Sequence, residues 1–503
     1  MIAIEARVLD PPTIRYANDR EEHPANGIWG RKGTRLQVRP DMAKWALLRI
    51  TQSTTAGSGI GNMGFSYGEN DSDVADIREY ARVFRSTLEE IGWKTNESTR
   101  RKQIHVSGLE DGHLVRFMQC LASLGVEVLY VSLPKGDEFA YKQVKVLGDN
   151  NGIQTFYMKE TGNSKLQVAE KNRATLEGWV KHLLSTLALK VNLKLGGTNH
   201  TISSEHMGLI KERQTMVVGV ESHQATFEAV CARKIPAIIS MVANKDKECF
   251  QWPSETRLHN EDEVTGPLGQ MLTARLQLWQ KSGETDLPQN ILIYRNGVSE
   301  SDYDRVLSTE LPALEDACKK IYPGCTVPKI TLIAVVKKSK LQCYKTHNTN
   351  KDEYLTVPAG TVISRGATDP RVWDFFLQSH GTGSGTPHQA HYIILHDRIF
   401  TDNSGNSTGT EDAADQVYAL TNVLCYVVGH SPQAVSVCAP AYYAHLASKH
   451  MRMKLDHVMS PKSKTIALNK EEPKKVHFED QALEHLQKQV EVHEKLKDQM
   501  FYI

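Results

Sequence analysis

Two pairs of residues in the sequence have the types and spacing to converge on one anion. Tyr141 and Lys145 lie four residues apart in "YKQVK", and Lys190 and Lys194 lie four apart in "LKVNLK". Residues at this spacing share one face of a helix. Tyrosine hydroxyl and lysine ammonium groups are donors suited to phosphate oxygens. The pairs therefore indicate a phosphate site, although most lysine pairs at this spacing are solvated surface residues.

The charge distribution agrees with a local anion site. The whole chain carries a net charge of +1, but residues 141–194 contain nine Lys or Arg against four Asp or Glu. A basic cluster in a neutral protein suits a specific anionic ligand better than a general grip on a polyanion. A solvated helix face with surplus lysines explains the same excess equally well.

A second set of residues could act on a phosphodiester. Glu221 and Asn296 each end an apolar run, Glu263 precedes a helical pattern, and His445 lies within one. Cleavage by two metal ions needs carboxylates, because Mg²⁺ prefers anionic oxygen ligands. The set is thus a partial carboxylate site whose central member is neutral. Taken alone, the residue types do not show that the four are related.

The elements that must position these residues form two α/β units. Strand–helix–strand order in the first unit predicts a parallel sheet with binding loops at the carboxyl ends of its strands. Strands are predicted at 44–50 and 126–134, and helices at 73–92, 111–125 and 170–197. In the second unit, strands are predicted at 215–222, 235–244, 290–297, 329–338 and 390–397. Helices are predicted there at 266–282, 303–321, 413–429, 439–454 and 479–500, with polar loops at 401–412 and 459–478.

Composition narrows the class of protein. A chain of 503 residues allows two or more domains, and 40% hydrophobic with 24% charged residues is ordinary for a globular protein. No apolar run is long enough to span a membrane, and the start of the chain lacks a signal-peptide pattern. The eight cysteines form no CxxC pair. We therefore expect reduced thiols, no zinc site, no membrane partner, and a cytoplasmic or nuclear location.

Several longer motifs, in order, resemble the C-terminal half of a eukaryotic Argonaute. They are "RVLDPPTIRY" (7–16), "YKQVKVLGD" (141–149), "LALKVNLKLGGTNH" (187–200), "YRNGVSE" (294–300), "WDFFLQSH" (373–380), "PAYYAHL" (440–446) and the terminal "MFYI". The resemblance implies an α/β fold: a second-linker segment (1–40), a Rossmann-like MID domain with a parallel sheet (41–195) and an RNase H-like PIWI domain (196–503). Divergence between the motifs suggests a fungal member. Missing amino-terminal and PAZ domains suggest a fragment or a shortened chain.

The resemblance also assigns binding roles to particular positions. In such proteins the MID pocket holds the 5′-monophosphate of a guide RNA, with Tyr141 stacked on the first base and Lys145, Lys190 and Lys194 neutralising the phosphate. The position of the family's pocket arginine falls on His450, with Arg452 two residues on, and that of its pocket glutamine falls on Phe156. Both departures predict weaker or altered phosphate binding. The positions matching guide-backbone contacts are Lys337, Lys338, Ser436 and Tyr442.

The same resemblance places a cutting site at the second set of residues. PIWI domains cut with an Asp-Glu-Asp-His set. His445 matches the histidine, Glu263 the mobile glutamate (Glu261 is the alternative), and Glu221 the first aspartate in a drifted "GVESHQA". Asn296 replaces the second aspartate and brings no charge to a metal. Glu221 is one methylene longer than the aspartate it replaces and moves the carboxylate by about an ångström, a shift that can cost about 10²-fold in rate. With both changes, we expect weak or absent metal binding at Glu221, Asn296 and His445.

The leading hypothesis is a guide-RNA-binding lobe in RNA silencing that presents the guide for pairing and no longer cuts. Two alternatives stay open: a slow Mg²⁺-dependent endoribonuclease, and a protein-interaction scaffold that has lost RNA binding. Expected partners are a guide RNA with a 5′-phosphate, a target RNA and silencing proteins with tryptophan motifs. No cofactor is expected beyond Mg²⁺, and that only if nuclease activity remains.

Overall fold

The chain folds into 18 strands and ten helices in the part that the structure, a computed structural model, describes. The described residues are 3–17, 19–30, 35–40, 44–52, 86, 89, 100–106, 112–133, 138–159, 186–212, 214–223, 235–260, 266–283, 286–324, 326–337, 339–345, 355–381, 388–401, 410–459 and 478–503. The predicted helix at 73–92, the first part of the one at 170–197 and most of the two polar loops lie outside them.

The elements have the following bounds. The strands are β1 Arg7–Val8, β2 Ile14–Arg15, β3 Glu21–Glu22, β4 Lys44–Gln52, β5 Arg100–Val106, β6 Val126–Leu133, β7 Gln154–Lys159, β8 Thr201–Ile202, β9 Thr215–His223, β10 Ala237–Ala243, β11 Ser254–His259, β12 Asn290–Asn296, β13 Lys329–Val336, β14 Tyr344–Lys345, β15 Leu355–Thr356, β16 Thr361–Ile363, β17 Asp374–Gln378 and β18 Ala390–His396. The helices are α1 His113–Ser123, α2 Glu138–Asn150, α3 186–194, α4 Ser204–Glu212, α5 Gly266–Lys281, α6 Tyr303–Ile321 with a π-helical turn at Val306–Glu310, α7 Thr410–Leu424, α8 Ala439–Val458, α9 Asp480–Val490 and α10 Glu494–Lys497.

The first unit is built on a four-stranded parallel sheet. Its strand order is β5-β4-β6-β7, and every neighbouring pair runs parallel. Apolar side chains of β4 and β6 pack with those of α1 and α2 in one core. The predicted parallel sheet is therefore confirmed, and α2 begins just after β6, at the carboxyl edge of the sheet where such folds bind ligands.

The second unit is built on a nine-stranded mixed sheet. Its strand order is β1-β16-β17-β18-β13-β12-β9-β10-β11, and β12 runs parallel to both β9 and β13. Alternate residues of β12 pack against α7 and α8 on one face and against α5 and α6 on the other. Burial on both faces explains why these strands are nearly continuous apolar runs. The predicted α/β fold class is confirmed, whereas the proposed limits 1–40, 41–195 and 196–503 stay predictions.

Helix α8 lies unusually close to the central strands. A Cβ on Gly219 of β9 would sit 2.0 Å from the carbonyl oxygen of Pro440 in the first turn of α8. No side chain fits in that space, so glycine lets the helix reach the sheet. This close approach brings His445, one turn further along α8, over the carboxyl end of β9.

The C-terminal stretch differs from its prediction as one helix over 479–500. It forms α9 and α10, separated by an extended segment that begins at Glu491 (φ −61°, ψ 152°). The backbone in this break bonds to other elements: His493 N donates to Asp149 O, and Lys454 Nζ donates to Glu491 O. Tertiary hydrogen bonds therefore override a continuous helical pattern. The helix predicted over 413–429 similarly ends at Leu424.

No helix among the described residues is long and apolar enough to cross a membrane.

Candidate functional site: a strand-end triad and a buried cation cluster

Three of the four residues predicted for phosphodiester chemistry meet at the carboxyl ends of β9 and β12. Glu221 and Asn296 are directly paired across the two parallel strands. Asn296 Nδ2 donates to Glu221 Oε2 over 2.5 Å, and His445 Nδ1 lies 2.8 Å from Glu221 Oε1. A carboxylate only accepts, so His445 Nδ1 carries the hydrogen. Both oxygens of Glu221 are thus used by neighbouring side chains.

The orientation of the Asn296 amide is fixed by its partners. Its oxygen, Oδ1, accepts from the backbone N–H of Gly297 at 3.0 Å, while its nitrogen faces the Glu221 carboxylate. Rotating the amide by 180° would place oxygen against carboxylate and N–H against N–H. Gly297 has φ 77°, and a Cβ there would meet Ser222 O at 2.4 Å. The tight turn therefore needs glycine and holds the amide in place.

A buried ion pair supports the end of β12 from the opposite face of the sheet. Arg295 donates through Nε and Nη2 to both oxygens of Glu310, at 2.8 and 2.9 Å. Arg295 Nη1 also donates to the carbonyl of Asn296. Glu310 ends the π-helical turn of α6, an irregularity that often marks functional sites. The pair fixes the backbone on which Asn296 stands.

The triad does not fit a pair of magnesium ions. Two-metal chemistry needs several anionic oxygens at the metals, and the triad supplies one carboxylate whose oxygens are both hydrogen-bonded. Within the described ranges, no three His, Cys, Asp or Glu side chains are grouped so as to hold a metal ion. Glu263 and its alternative Glu261 fall in 261–265, outside those ranges.

The predicted phosphate-site lysines form a buried cluster between the two units. Lys145 of α2 and Lys194 of α3 are 5% and 1% exposed, and the two amines are close enough to influence each other's pKa. Lys145 Nζ donates to Thr155 O at 3.0 Å, and Lys194 Nζ donates to Phe501 O at 2.7 Å. Burial lowers the pKa of both amines, and for Lys194 the adjacent Lys145 lowers it further.

A buried carboxylate completes this cluster. His450 Nε2 donates to Asp149 Oδ2 at 2.7 Å, and Lys454 Nζ lies 3.4 Å from the same oxygen. Burial alone would raise the pKa of Asp149, but His450 and Lys454 outweigh it and hold the pKa below its usual value. We call Lys145, Lys194, Asp149, His450 and Lys454 the cation cluster. It joins α2, α3 and α8 and therefore ties the two units together.

Tyr141 and Lys190 lie at the margin of the cation cluster. The Tyr141 ring packs on Tyr157 with centroids 4.4 Å apart, and Tyr157 Oη donates to the backbone carbonyl of Tyr141. Lys190 is half-buried, and burial lowers its pKa. Burial, with a smaller contribution from Lys190, lowers the pKa of His430 to about 4. His430 Nε2 bonds the hydroxyl of Tyr442 at 3.2 Å, so a predicted guide-backbone residue lies near a predicted phosphate residue.

The remaining predicted residues are placed as follows. Arg452 pairs with Asp456 at 3.1 Å, and after burial it is the next cause that lowers the pKa of His223 at the end of β9. Phe156 is buried, and its ring lies 5.0 Å from Lys194 Nζ. Lys337 is half-buried directly after β13, and Ser436 is half-buried just before α8. Lys338 lies outside the described residues.

Three groups at the cation cluster were not predicted from the sequence: Asp149, Lys454 and the tail carbonyl of Phe501. Two of these carried a usable signal: Asp149 follows Lys145 by four residues on α2, and Lys454 follows His450 by four on α8. Helical spacing therefore could have extended the predicted pocket. Phe501 acts through its backbone, which no residue type reveals.

The comparisons with known proteins agree with this architecture. The family model described as Piwi domain matches residues 129–456. Protein argonaute 1D of Oryza sativa is 30% identical over 487 residues, covering 90% of this chain and 42% of the relative. Protein argonaute of Schizosaccharomyces pombe is 25% identical over 487 residues, covering 90% and 50%. The chain thus spans half or less of the length of these relatives.

Two solved structures share the fold. The C-terminal lobe of a budding yeast Argonaute matches with a TM-score of 0.78 at 21% identity, covering 99% of this chain and 95% of that one. Kluyveromyces polysporus Argonaute with a guide RNA matches with a TM-score of 0.77 at 22% identity, covering 99% and 53%. At these identities the structural likeness concerns the fold alone.

Proposed function

The chain belongs to the Argonaute family, and on this premise we propose that it binds a small guide RNA by its 5′-phosphate in RNA silencing and presents the guide to a target RNA without cutting it. The solved relative from Kluyveromyces polysporus holds a guide RNA. Base pairing then supplies sequence recognition, while the protein holds the RNA through its backbone and shape.

The observation that carries the binding proposal is the adjacency of Lys145 and Lys194. Two neighbouring buried ammonium groups repel each other and lose hydration, which costs free energy in the protein alone. An anion placed between them relieves both penalties, because phosphate oxygens accept charge-assisted hydrogen bonds from each. Such strained ionisable groups are typical of ligand sites. Lys190 and Tyr141 lie at the margin, where the first nucleotide would follow its phosphate.

The observation that favours loss of cutting is the hydrogen bonding of Glu221. Its carboxylate is held by Asn296 and His445, and the asparagine presents N–H rather than oxygen toward it. Magnesium would have to displace both donors and find its further ligands elsewhere. A rate loss of several orders of magnitude is the expected result, at about 1.4 kcal/mol per factor of ten.

Target capture without cleavage tests this proposal directly. Purified protein is loaded with a 5′-phosphorylated guide and given a fully matched, end-labelled target with Mg²⁺ or with Mn²⁺. We expect the target to be retained on the protein and recovered at full length. Cleavage at one site opposite the guide, abolished by His445→Ala, would contradict the proposal and support the alternative of a slow endoribonuclease.

A protein-interaction scaffold is the second candidate, and Phe156 favours it. The ring covers Lys194 Nζ at 5.0 Å, where the family pattern has a hydrogen-bonding glutamine. If the ring closes the site, 5′-phosphorylated RNA should bind weakly and Phe156→Gln should strengthen binding severalfold. Partners with tryptophan motifs, the fungal origin and the cytoplasmic or nuclear location stay predictions from the sequence.

A further inference from the structure

His450 is held in one orientation by Asp149. The ring is buried on α8, its Nε2 lies 2.7 Å from Asp149 Oδ2, and it packs edge-to-face with the Phe501 ring at a centroid distance of 5.3 Å. Lys454, one helical turn further on, reaches the same carboxylate oxygen at 3.4 Å. The imidazole is thus fixed between α2, its own helix and the C-terminal tail.

The charge of His450 depends on whether its second ring nitrogen is protonated. A carboxylate only accepts, so Nε2 keeps its hydrogen whether the ring is neutral or charged. In the neutral ring the other nitrogen carries a lone pair, and the ring brings no positive charge to the cation cluster. Only the imidazolium adds a charge and a second donor. An arginine here would be charged at every physiological pH.

We propose that capture of the 5′-phosphate takes up one proton at His450, with Asp149 as the positioning residue that holds the ring and stabilises its charged form. The inference rests on the proposed function. A phosphate dianion beside Lys145 and Lys194 adds negative charge within reach of the ring and favours the imidazolium. The affinity for 5′-phosphorylated RNA therefore falls as the pH rises.

Burial and the charged groups around the ring set the charge of His450 in the free protein. Burial lowers the pKa of His450 below its ordinary value, Asp149 favours the imidazolium, and Lys145 of α2 and Lys454 of α8 disfavour it. The ring also lines a cavity of about 90 Å³ between α8, β11 and the tail. The other charged residues lining it are Glu255, Arg257, Glu491 and Lys497, which form the pairs Glu255–Arg257 at 2.6 Å and Glu491–Lys497 at 2.9 Å.

These four cavity charges are therefore present as close ion pairs and not as single charges. Without ligand, we expect His450 to be mostly neutral at neutral pH, because burial dominates its surroundings. Bound phosphate favours the protonated form of His450, so the complex holds more protons than the free protein. Linkage then makes the dissociation constant rise with pH by up to about tenfold per pH unit, between the free and bound pKa values of His450.

Two substitutions fix the charge at position 450 and so test the proposal. His450→Arg is charged at every pH, and His450→Gln is never charged but keeps an N–H for Asp149. Dissociation constants for 5′-phosphorylated RNA are measured for the three proteins between pH 6 and pH 8.5, with thermal unfolding to confirm folding. We expect the wild type to approach the arginine variant at low pH and the glutamine variant at high pH.

The RNA phosphate itself titrates near pH 6, and this effect is common to all three proteins, so their ratios remove it. A ratio of wild type to either variant that stays constant with pH overturns the proposal. Asp149→Asn keeps an acceptor for Nε2 but removes the charge, and it should move the wild-type transition to lower pH. An unmoved transition overturns the role of Asp149.

Calorimetry on the wild type alone keeps the proposal falsifiable if the variants fail to fold. Binding heats at pH 7.5 in two buffers of different ionisation enthalpy report the protons exchanged. We expect net uptake with 5′-phosphorylated RNA and none with 5′-hydroxyl RNA. No uptake despite a clear preference for phosphate overturns this inference alone, whereas no preference at any pH overturns the proposed function as well.

Discussion

His445 and His450 lie five residues apart on α8, and each bonds a carboxylate of a different unit. His445 Nδ1 is 2.8 Å from Glu221 Oε1 on β9, and His450 Nε2 is 2.7 Å from Asp149 Oδ2 on α2. Five residues correspond to about 7.5 Å along a helix and roughly 140° around it. One helix therefore positions both the strand-end triad and the cation cluster.

Lys194→Met should separate phosphate recognition from general RNA binding. The change removes one buried charge-assisted donor, worth about 1.5–3 kcal/mol, so affinity for 5′-phosphorylated RNA should fall about 10- to 100-fold. Affinity for 5′-hydroxyl RNA should hardly change. Lys319→Met, at an exposed lysine on α6, is the matched control and should leave both affinities unchanged. An equal loss for both RNAs would count against a phosphate role.

Asn296→Asp should make the strand ends sensitive to divalent metal. Without metal, two carboxylates face each other and the donor to Glu221 is lost, which should lower the free energy of unfolding by about 1–3 kcal/mol. Mg²⁺ or Mn²⁺ should restore part of this loss in a denaturant titration. Asn290→Asp is the control, because Asn290 pairs with Thr215 at the other ends of the same two strands. If the Asn296→Asp variant were as stable as the wild type in EDTA, this result would argue against the observed hydrogen bond between the Asn296 amide and the Glu221 carboxylate.

Glu310→Gln should be strongly destabilising, because it leaves Arg295 buried without its counter-charge. Arg295 and Glu310 are 1% and 2% exposed, and breaking such a pair costs about 3–5 kcal/mol. Asp316→Asn, at an exposed pair with Lys319 on the same helix, should leave stability unchanged. Urea denaturation of the two variants gives the comparison, and a loss at Glu310 no larger than at Asp316 would contradict a structural role for the pair.

Stability should decrease as the pH falls from 6.5 to 4, because two histidines are buried in the neutral form. Burial lowers the pKa of His200 and His430 to about 4 from 6.5, so the unfolded chain binds protons that the folded protein does not. Each contributes up to about 3 kcal/mol that is present above pH 6.5 and lost as the pH falls through this window.

His200→Gln tests the pH effect. Glutamine cannot titrate but can still donate to the carbonyl of Tyr426, the partner of His200 Nε2 at 3.1 Å. The variant should show a shallower pH dependence of the free energy of unfolding between pH 4 and 6.5. His485→Gln, at an exposed residue of α9, serves as control. The same slope in the wild type and both variants would refute the assignment.

The sequence predicted the local framework of the sites, because hydrophobic periodicity and helical spacing are local properties. Apolar runs located β9 and β12, helical periodicity located α8, and the four-residue spacing placed Tyr141 and Lys145 on one helix. Glu221 and Asn296 are neighbours because β9 and β12 run parallel in a register that pairs these two residues. These features depend on neighbours along the chain or on one strand pairing.

The closure of the cation cluster could not be predicted in the same way. Asp149 meets His450 across 301 positions, and Lys194 bonds the backbone of Phe501 across 307. Such contacts follow from how the two units dock. The break at Glu491 has the same origin, since the extended backbone there bonds to Asp149 and Lys454.

A 5′-phosphate site should discriminate between two RNAs that differ only in their 5′ group. Dissociation constants for 5′-phosphorylated and 5′-hydroxyl guides of one sequence are measured on the wild type at two salt concentrations. We expect the phosphorylated guide to bind at least about tenfold tighter, with both affinities falling as salt rises. Equal affinities for the two guides at both salt concentrations would contradict the claim that this chain holds a guide RNA by its 5′-phosphate.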